Sequence, residues 1–164
     1  ALLDADIDDI SGVTIGSYAF TAYAGVYGDT VPGAQLSDIL TQAAVAAAPE
    51  MNDLCLLTHT KELHAIGQPL VGNFVLSDPT TTPPWDDLLA QNSAGSVAFD
   101  APLYIAQGLE DTLIHPDDTR EFAKHEASLG MDVTLSEVPN ATHATIAYFS
   151  LSGLMVWLAE HVGL

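Results

Sequence analysis

The alternation of apolar and polar positions is clearest in the last third of the chain. Residues 102–107 (PLYIAQ) and 132–138 (DVTLSEV) are short apolar segments bounded by turn residues, which predicts two buried strands. Residues 116–129 have helical spacing, and residues 145–161 predict a closing amphipathic helix. The order strand, helix, strand, helix is typical of a parallel sheet, so the predicted fold class is α/β.

The earlier part of the chain has a mostly helical pattern. Residues 36–48 are rich in alanine and precede Pro49, and residues 51–66 continue with helical spacing, which predicts two helices. Residues 12–17 (GVTIGS) are β-branched and bounded by glycines, which predicts a short buried strand. After a proline-rich loop, residues 85–91 predict one or two helical turns.

Composition and charge narrow the classes of function. Of the 164 residues, 22 are Asp or Glu and 3 are Lys or Arg, so the formal net charge is −19, while 48% of the residues are hydrophobic. A chain this apolar can bury enough surface to fold, which argues against intrinsic disorder. Three cations cannot neutralise a useful number of phosphates, which argues against binding to nucleic acid or to anionic lipids.

The ends of the chain and its cysteine content give further expectations. No apolar run reaches the roughly 18 residues of a membrane span, and no signal peptide opens the sequence. Because the chain begins at Ala1 and not at Met, we expect a processed protein or an excised piece. Cys55 is the only cysteine, so an internal disulfide is excluded. The strong acidity and the low lysine content favour a secreted protein, and we predict an extracellular location.

The loops after the two predicted strands carry a carboxylate and a histidine. Asp111 follows the first strand, and His143 follows the second, 32 residues later. In a parallel sheet both loops leave the carboxyl edge, where open α/β sheets bind ligands. A carboxylate there can accept the Nδ1 proton of a histidine and stabilise the imidazolium that forms during acyl transfer. The spacing therefore predicts a catalytic pair.

Other interpretations stay open from the residues alone. Asp111 could cap a turn, His143 could be an ordinary buried histidine, and Glu110 is an alternative acid. The sequence at 140–142 (NAT) fits a glycosylation acceptor, which we interpret as a chance match because a glycan there would obstruct His143. Of the remaining histidines, His115 is predicted to be a helix-start or surface residue, and His125 and His161 are predicted to be solvated residues on helices.

Two weaker patterns suggest metal ligands. Cys55 and His59 are four residues apart and would share one face of a helix. The third candidate, His64, would lie off that face, and no fourth ligand is evident. An acidic cluster resembles the start of a calcium loop, although its sixth position is not glycine and its twelfth is Ile15 and not Glu. We therefore predict no metal and no organic cofactor. The acidic cluster consists of Asp4, Asp6, Asp8 and Asp9.

The two loops and their strands resemble the α/β-hydrolase fold, whose triad runs Ser, Asp, His in chain order. The closer similarity is to the secretory lipases of the Candida antarctica lipase A family, over residues 84–95, 101–114 (APLYIAQGLEDTLI) and 139–143 (PNATH). This resemblance implies that Asp111 is the triad acid and that His143 is the general base.

The same resemblance implies a domain organisation and an activity. It divides the chain into a core strand segment at residues 1–17, a helical cap at 18–95 and a C-terminal hydrolase core at 96–164. The implied activity is hydrolysis of carboxylic esters by a lipase or esterase, with an acyl ester or lipid as the substrate and no cofactor. The alternatives are a peptidase or carbohydrate esterase of the same fold, or a catalytically silent α/β binding module.

The family places its nucleophile on a Gly-x-Ser-x-Gly elbow, and no such motif occurs in this sequence. We therefore expect this chain to be the C-terminal half of such an enzyme and to be inactive by itself. Half a parallel sheet exposes a strand edge and an apolar face. The chain is thus predicted to bind an N-terminal half that supplies the serine, or to self-associate.

Overall fold

A mixed α/β arrangement with one small parallel sheet is seen in the computed structural model, which describes residues 10–56 and 58–162. The chain divides into two compact units between residues 93 and 94. Residues 1–9, with half of the predicted N-terminal core strand segment and the calcium-like acidic cluster, lie outside the described residues. Within the described ranges, no helix combines the length and the apolar character needed to cross a membrane.

The N-terminal unit consists of helices around one apolar core. They are α1 (Ile10–Tyr27), α2 (Leu36–Ile39), α3 (Gln42–Asn52), α4 (Thr60–Gly67) and α5 (Trp85–Gln91), with a 3₁₀ turn at Gln68–Leu70. The short α5 confirms the helical turns predicted over the same residues. The core is made of side chains that are almost completely buried, among them Val13, Phe20, Ile39, Leu40, Met51, Leu63, Phe74 and Trp85.

The predicted strand at residues 12–17 is wrong, because these residues form the first turns of α1. Val13, Ser17 and Phe20 are fully buried and are spaced four and three residues apart, so one helix face carries them into the core. The hydroxyl of Thr14 donates to the carbonyl of Ile10 at 2.8 Å, a bond that suits a helix. Burial at helical spacing therefore outweighs the strand preference of the β-branched residues.

The helix predicted over residues 36–48 is interrupted, and its predicted end is also wrong. Leu40 and Thr41 are extended, and the Thr41 hydroxyl accepts the N–H of Ala44 and so caps α3. Pro49 lies inside α3, which continues to Asn52. Beyond the proline, the Asn52 amide donates to the side chains of Ser17 and Thr21 on α1, which holds the end of α3 against that helix.

The C-terminal unit confirms the predicted order of strand, helix, strand and helix. Its elements are β1 (Leu103–Gly108), α6 (Pro116–Ser128), β2 (Val133–Val138), α7 (Ile146–Phe149) and α8 (Leu151–Val162). The closing helix predicted over residues 145–161 is therefore split at Ser150. β1 and β2 pair in parallel, so their carboxyl ends lie side by side.

One edge of this small sheet is open. The N–H groups of Leu103 and Leu109 donate toward β2, so the alternation along a strand turns those of Tyr104, Ala106 and Gly108 to the opposite side. The structure places no further strand beside β1 in the described part of the chain. Ten of the fourteen exposed large hydrophobic residues that it describes belong to this unit, and they lie in its loops and helices.

Candidate active site

The loop after β1 buries Asp111, and the two carboxylate oxygens of this residue have different hydrogen-bond partners. Oδ1 accepts the backbone N–H groups of Leu113 and Ile114, each at 2.9 Å. Because these bonds close the loop on the carboxylate, the residue is only 5% exposed. Oδ2 is left for a partner from another part of the unit.

That partner is His143, on the loop after β2. Nδ1 of His143 lies 3.0 Å from Oδ2 of Asp111. The histidine side chain is 54% exposed, while the carboxylate behind it is almost completely buried. In residues 10–56 and 58–162 no group is hydrogen-bonded to Nε2 of His143, which is the atom that a general base uses in acyl transfer.

The electrostatics of the pair favour an ionised carboxylate. Burial by itself would raise the pKa of Asp111, because it penalises the charged form. The N–H groups of Ile114 and Leu113, followed by the His143 ring, outweigh that effect and hold the pKa of Asp111 below its ordinary value. Asp111 is therefore charged at neutral pH and can stabilise positive charge on the imidazole.

The two loops approach each other through their backbones. The N–H of Glu110 donates to the carbonyl of Ala141 at 2.9 Å, and that of Leu109 donates to the carbonyl of Val138 at 3.0 Å. A Cβ atom on Gly108 would overlap the carbonyl group of Ala141, so the close approach requires glycine at this position. Backbone bonding between the loops thus sets the separation of Asp111 and His143.

A tight turn presents the histidine. Asn140 has a φ of 58°, in the left-handed region that asparagine tolerates better than most residues. The hydroxyl of Thr145 accepts the N–H of Thr142 at 2.9 Å and closes the next turn. His143 lies inside this turn, so local hydrogen bonds restrict its backbone.

A cavity of about 270 Å³ adjoins the pair. Asp111 and His143 form part of its wall, and Ile114, Phe122 and Ile146 contribute apolar surface. Such a cavity can hold an apolar group next to a general base.

The other candidates from the sequence do not join this site. Glu110 is exposed, and Asp111 is the acidic side chain that contacts His143. His115 is exposed at the start of α6, and Nε2 of His125 lies 2.7 Å from the carbonyl of Gly95. The ring of His161 stacks on Trp157.

The predicted helix over residues 51–66 is wrong in its first half. Residues 53–56 and 58–59 lie outside helices, so Cys55 and His59 do not share a helix face. The N–H of Cys55 donates to Nδ1 of His59 at 3.3 Å, which shapes this turn. Where the chain is described, no group of three or more His, Cys, Asp or Glu side chains could hold a metal ion.

One functional candidate was not predicted from the sequence. Gln107, the penultimate residue of β1, is only 4% exposed, and its amide donates to the carbonyls of Gly108 at 2.8 Å and Ile114 at 3.0 Å. The signal in the sequence was a polar residue at the end of an otherwise apolar strand. Polar residues are common at strand ends, so the signal was weak.

Comparisons with protein-family models, with curated proteins and with solved structures give no match. A buried, ionised carboxylate on the inner nitrogen of a half-exposed imidazole is an arrangement that orients a general base.

Proposed function

We propose that the chain is the acid- and base-bearing part of a serine hydrolase that cleaves carboxylic esters, of the lipase or esterase type. The observation that carries the proposal is the 3.0 Å contact between Nδ1 of His143 and Oδ2 of Asp111, with Nε2 unoccupied by any described group. In this proposal the N-terminal unit is the helical cap of an α/β-hydrolase, and the C-terminal unit is the last part of its core. An extracellular location belongs to the same proposal.

The reaction uses His143 as a proton carrier. Nε2 takes the hydroxyl proton of a serine as the serine oxygen attacks the ester carbonyl carbon. The same proton then goes to the leaving alcohol as the bond from carbon to oxygen breaks, which leaves an acyl-enzyme. Water repeats the two steps and releases the carboxylic acid. Asp111 holds the ring in the required tautomer and stabilises the transient imidazolium.

We propose that the serine comes from polypeptide outside the described residues. Nothing described is hydrogen-bonded to Nε2 of His143, and the sequence has no nucleophile elbow. The open edge of β1 is the proposed binding site for this polypeptide, because the backbone N–H groups of Tyr104, Ala106 and Gly108 point away from β2. An added strand would satisfy these groups.

The proposed substrate is an ester with an apolar acyl group. The cavity beside His143 has apolar walls from Ile114, Phe122 and Ile146, which favour a hydrocarbon chain over a sugar or a charged peptide. The net charge of −19 would also repel the carboxylate product.

The experiment is labelling of the purified material with a fluorophosphonate, which reacts with activated serines. Mass spectrometry then locates the adduct, and His143→Ala serves as the control because it removes the general base. A label on a co-purifying polypeptide that depends on His143 supports the whole proposal. Hydrolysis of p-nitrophenyl esters in the same samples reports the activity directly.

Two other outcomes would contradict parts of the proposal. A label on a serine of this chain that disappears in His143→Ala keeps the hydrolase but rejects an external nucleophile. No label and no ester hydrolysis in material that contains a co-purifying polypeptide rejects serine hydrolysis and favours a silent α/β binding module.

A further inference from the structure

The polar side chain of Gln107 is buried beneath the Asp111 loop. Its Nε2 donates to the carbonyl of Gly108 at 2.8 Å and to that of Ile114 at 3.0 Å, so both amide protons are used. Its Oε1 accepts the hydroxyl of Thr119 on α6. One side chain therefore connects the end of β1, the end of the Asp111 loop and the next helix.

Ile114 links this amide to the carboxylate. Its carbonyl accepts from Gln107, while its N–H donates to Oδ1 of Asp111 at 2.9 Å. The peptide group after Ile114 is therefore held by Gln107, and the peptide group before it bonds to Asp111, so only the Cα atom of Ile114 separates the two. Asp111 in turn contacts His143, so the chain of hydrogen bonds reaches the imidazole.

We propose that Gln107 is a positioning residue, which holds the Asp111 loop closed so that the carboxylate stays directed at Nδ1 of His143. The inference rests on the proposed function, because a fixed imidazole matters only if His143 acts as a base. Loss of the amide leaves the carbonyls of Gly108 and Ile114 without this donor. The loop then gains freedom where Asp111 requires two backbone N–H groups at once.

The geometry favours this role over simple filling of space. A residue that only filled the strand end could be apolar, as Ile105 is on the same strand. Gln107 instead uses both donor protons and its acceptor oxygen, and its three partners lie in or beside the Asp111 loop. The carbonyls of Gly108 and Ile114 orient the amide, because they can only accept and so require its nitrogen, which leaves its oxygen to the Thr119 hydroxyl.

The test uses the 164-residue chain and needs neither an ester nor a second polypeptide. Gln107→Met keeps the side-chain length and removes the amide, and Gln91→Met makes the same change at an exposed position. Two NMR readouts follow the pair: the Nδ1 proton resonance of His143 and the pKa of Asp111 from its carboxyl carbon shift. Asp111→Asn identifies both signals.

For Gln107→Met we expect the Nδ1 proton resonance to be lost through exchange with water. We also expect the pKa of Asp111 to rise toward its ordinary value, because the N–H bonds to Oδ1 weaken. Gln91→Met should change neither readout. A folded Gln107→Met chain in which both readouts match the wild type overturns the proposal.

If Gln107→Met does not fold, substitutions at Thr119 test the positioning role of Gln107 instead. Thr119→Val removes the hydroxyl that donates to the amide oxygen of Gln107, and Thr119→Ser keeps it. Altered readouts in the valine variant with wild-type readouts in the serine variant support the proposal, and an unaltered valine variant overturns it. Neither result depends on fluorophosphonate labelling, so failure of this inference and failure of the proposed function are distinguishable.

Discussion

At the scale of single residues, the two oxygens of Asp111 have separate tasks. Oδ1 is saturated by the N–H groups of Leu113 and Ile114, which fixes the rotamer of the carboxylate. Oδ2 is thereby presented to His143 without competition from the loop.

The loops and the two residues could be predicted from the sequence, because each follows a clear strand. The role of Gln107 could not, because it depends on which carbonyls the folded loop directs at the amide.

Asp111 should also make a pH-dependent contribution to stability. Its pKa is lowered in the folded state, so its contribution is present above the ordinary carboxyl value of about 4 and is lost as the pH falls through the lowered value. Asp111→Asn should therefore destabilise the chain at neutral pH, and the difference in free energy of unfolding should shrink as the pH falls below the ordinary carboxyl value of about 4.

Urea unfolding of both proteins across this pH range measures that difference. The exposed Asp29 provides the control, because Asp29→Asn removes one carboxylate without a buried hydrogen-bond network. A difference for Asp111→Asn that stays constant with pH would show that the carboxylate is not stabilised by the fold.

Glu126 on α6 is a second buried carboxyl group, but its hydrogen bonding is incomplete. Its Oε1 is buried and has no hydrogen-bond partner in the described structure. An unsatisfied buried polar atom costs about 1–3 kcal/mol, so Glu126→Met should raise the free energy of unfolding by about 1 kcal/mol. Glu121→Met, on the exposed side of the same helix, should have little effect. Thermal unfolding compares the two, and a lower melting temperature for Glu126→Met would refute the prediction.

At the scale of elements, strands β1 and β2 could be predicted, whereas α1 could not. The strands are short apolar segments between turn residues, and local sequence suffices to define them. In α1 the local preference of Val13, Thr14 and Ile15 favours a strand, and only the core of the unit decides otherwise. The break between α2 and α3 likewise depends on a distant contact, the bridge between Leu40 and Val75.

Helix α8 carries part of the exposed apolar surface of the C-terminal unit. We predict that Met155→Lys weakens self-association or binding of a second polypeptide, because a charge would have to be buried there. Val26→Lys is the control, since Val26 is 67% exposed against 55% for Met155 and lies in the other unit. Sedimentation velocity and the yield of co-purifying polypeptide measure the effect. Equal association of both variants, or a monodisperse wild-type monomer, would contradict an association surface on α8.

At the scale of the whole molecule, the buried apolar residues are distributed unevenly. Of the sixteen buried hydrophobic residues that the structure describes, only Ala123, Met131 and Ala141 belong to the C-terminal unit. Because hydrophobic burial is the dominant favourable contribution to folding, the C-terminal unit should be the less stable one.

The two tryptophans allow this difference to be measured. Trp85 lies in the N-terminal unit and Trp157 in the C-terminal unit. We predict two fluorescence transitions in urea, of which the earlier one disappears in Trp157→Phe. A single transition that keeps its midpoint in Trp157→Phe would show that the two units unfold together.

The close backbone contact at Gly108 determines which insertions the chain can tolerate. Glu110 and Ala141 are joined by a backbone hydrogen bond, so the register of one loop on the other depends on the residues between Gly108 and Asp111 and between Val138 and His143. A residue inserted in either segment would move one side chain of the pair out of register. By contrast, the part of α6 after Thr119 lies between the two loops along the chain and makes no hydrogen bond to either loop in the described structure. We therefore expect whole turns added to that part of the helix to change the 32-residue separation of Asp111 and His143 without moving either loop.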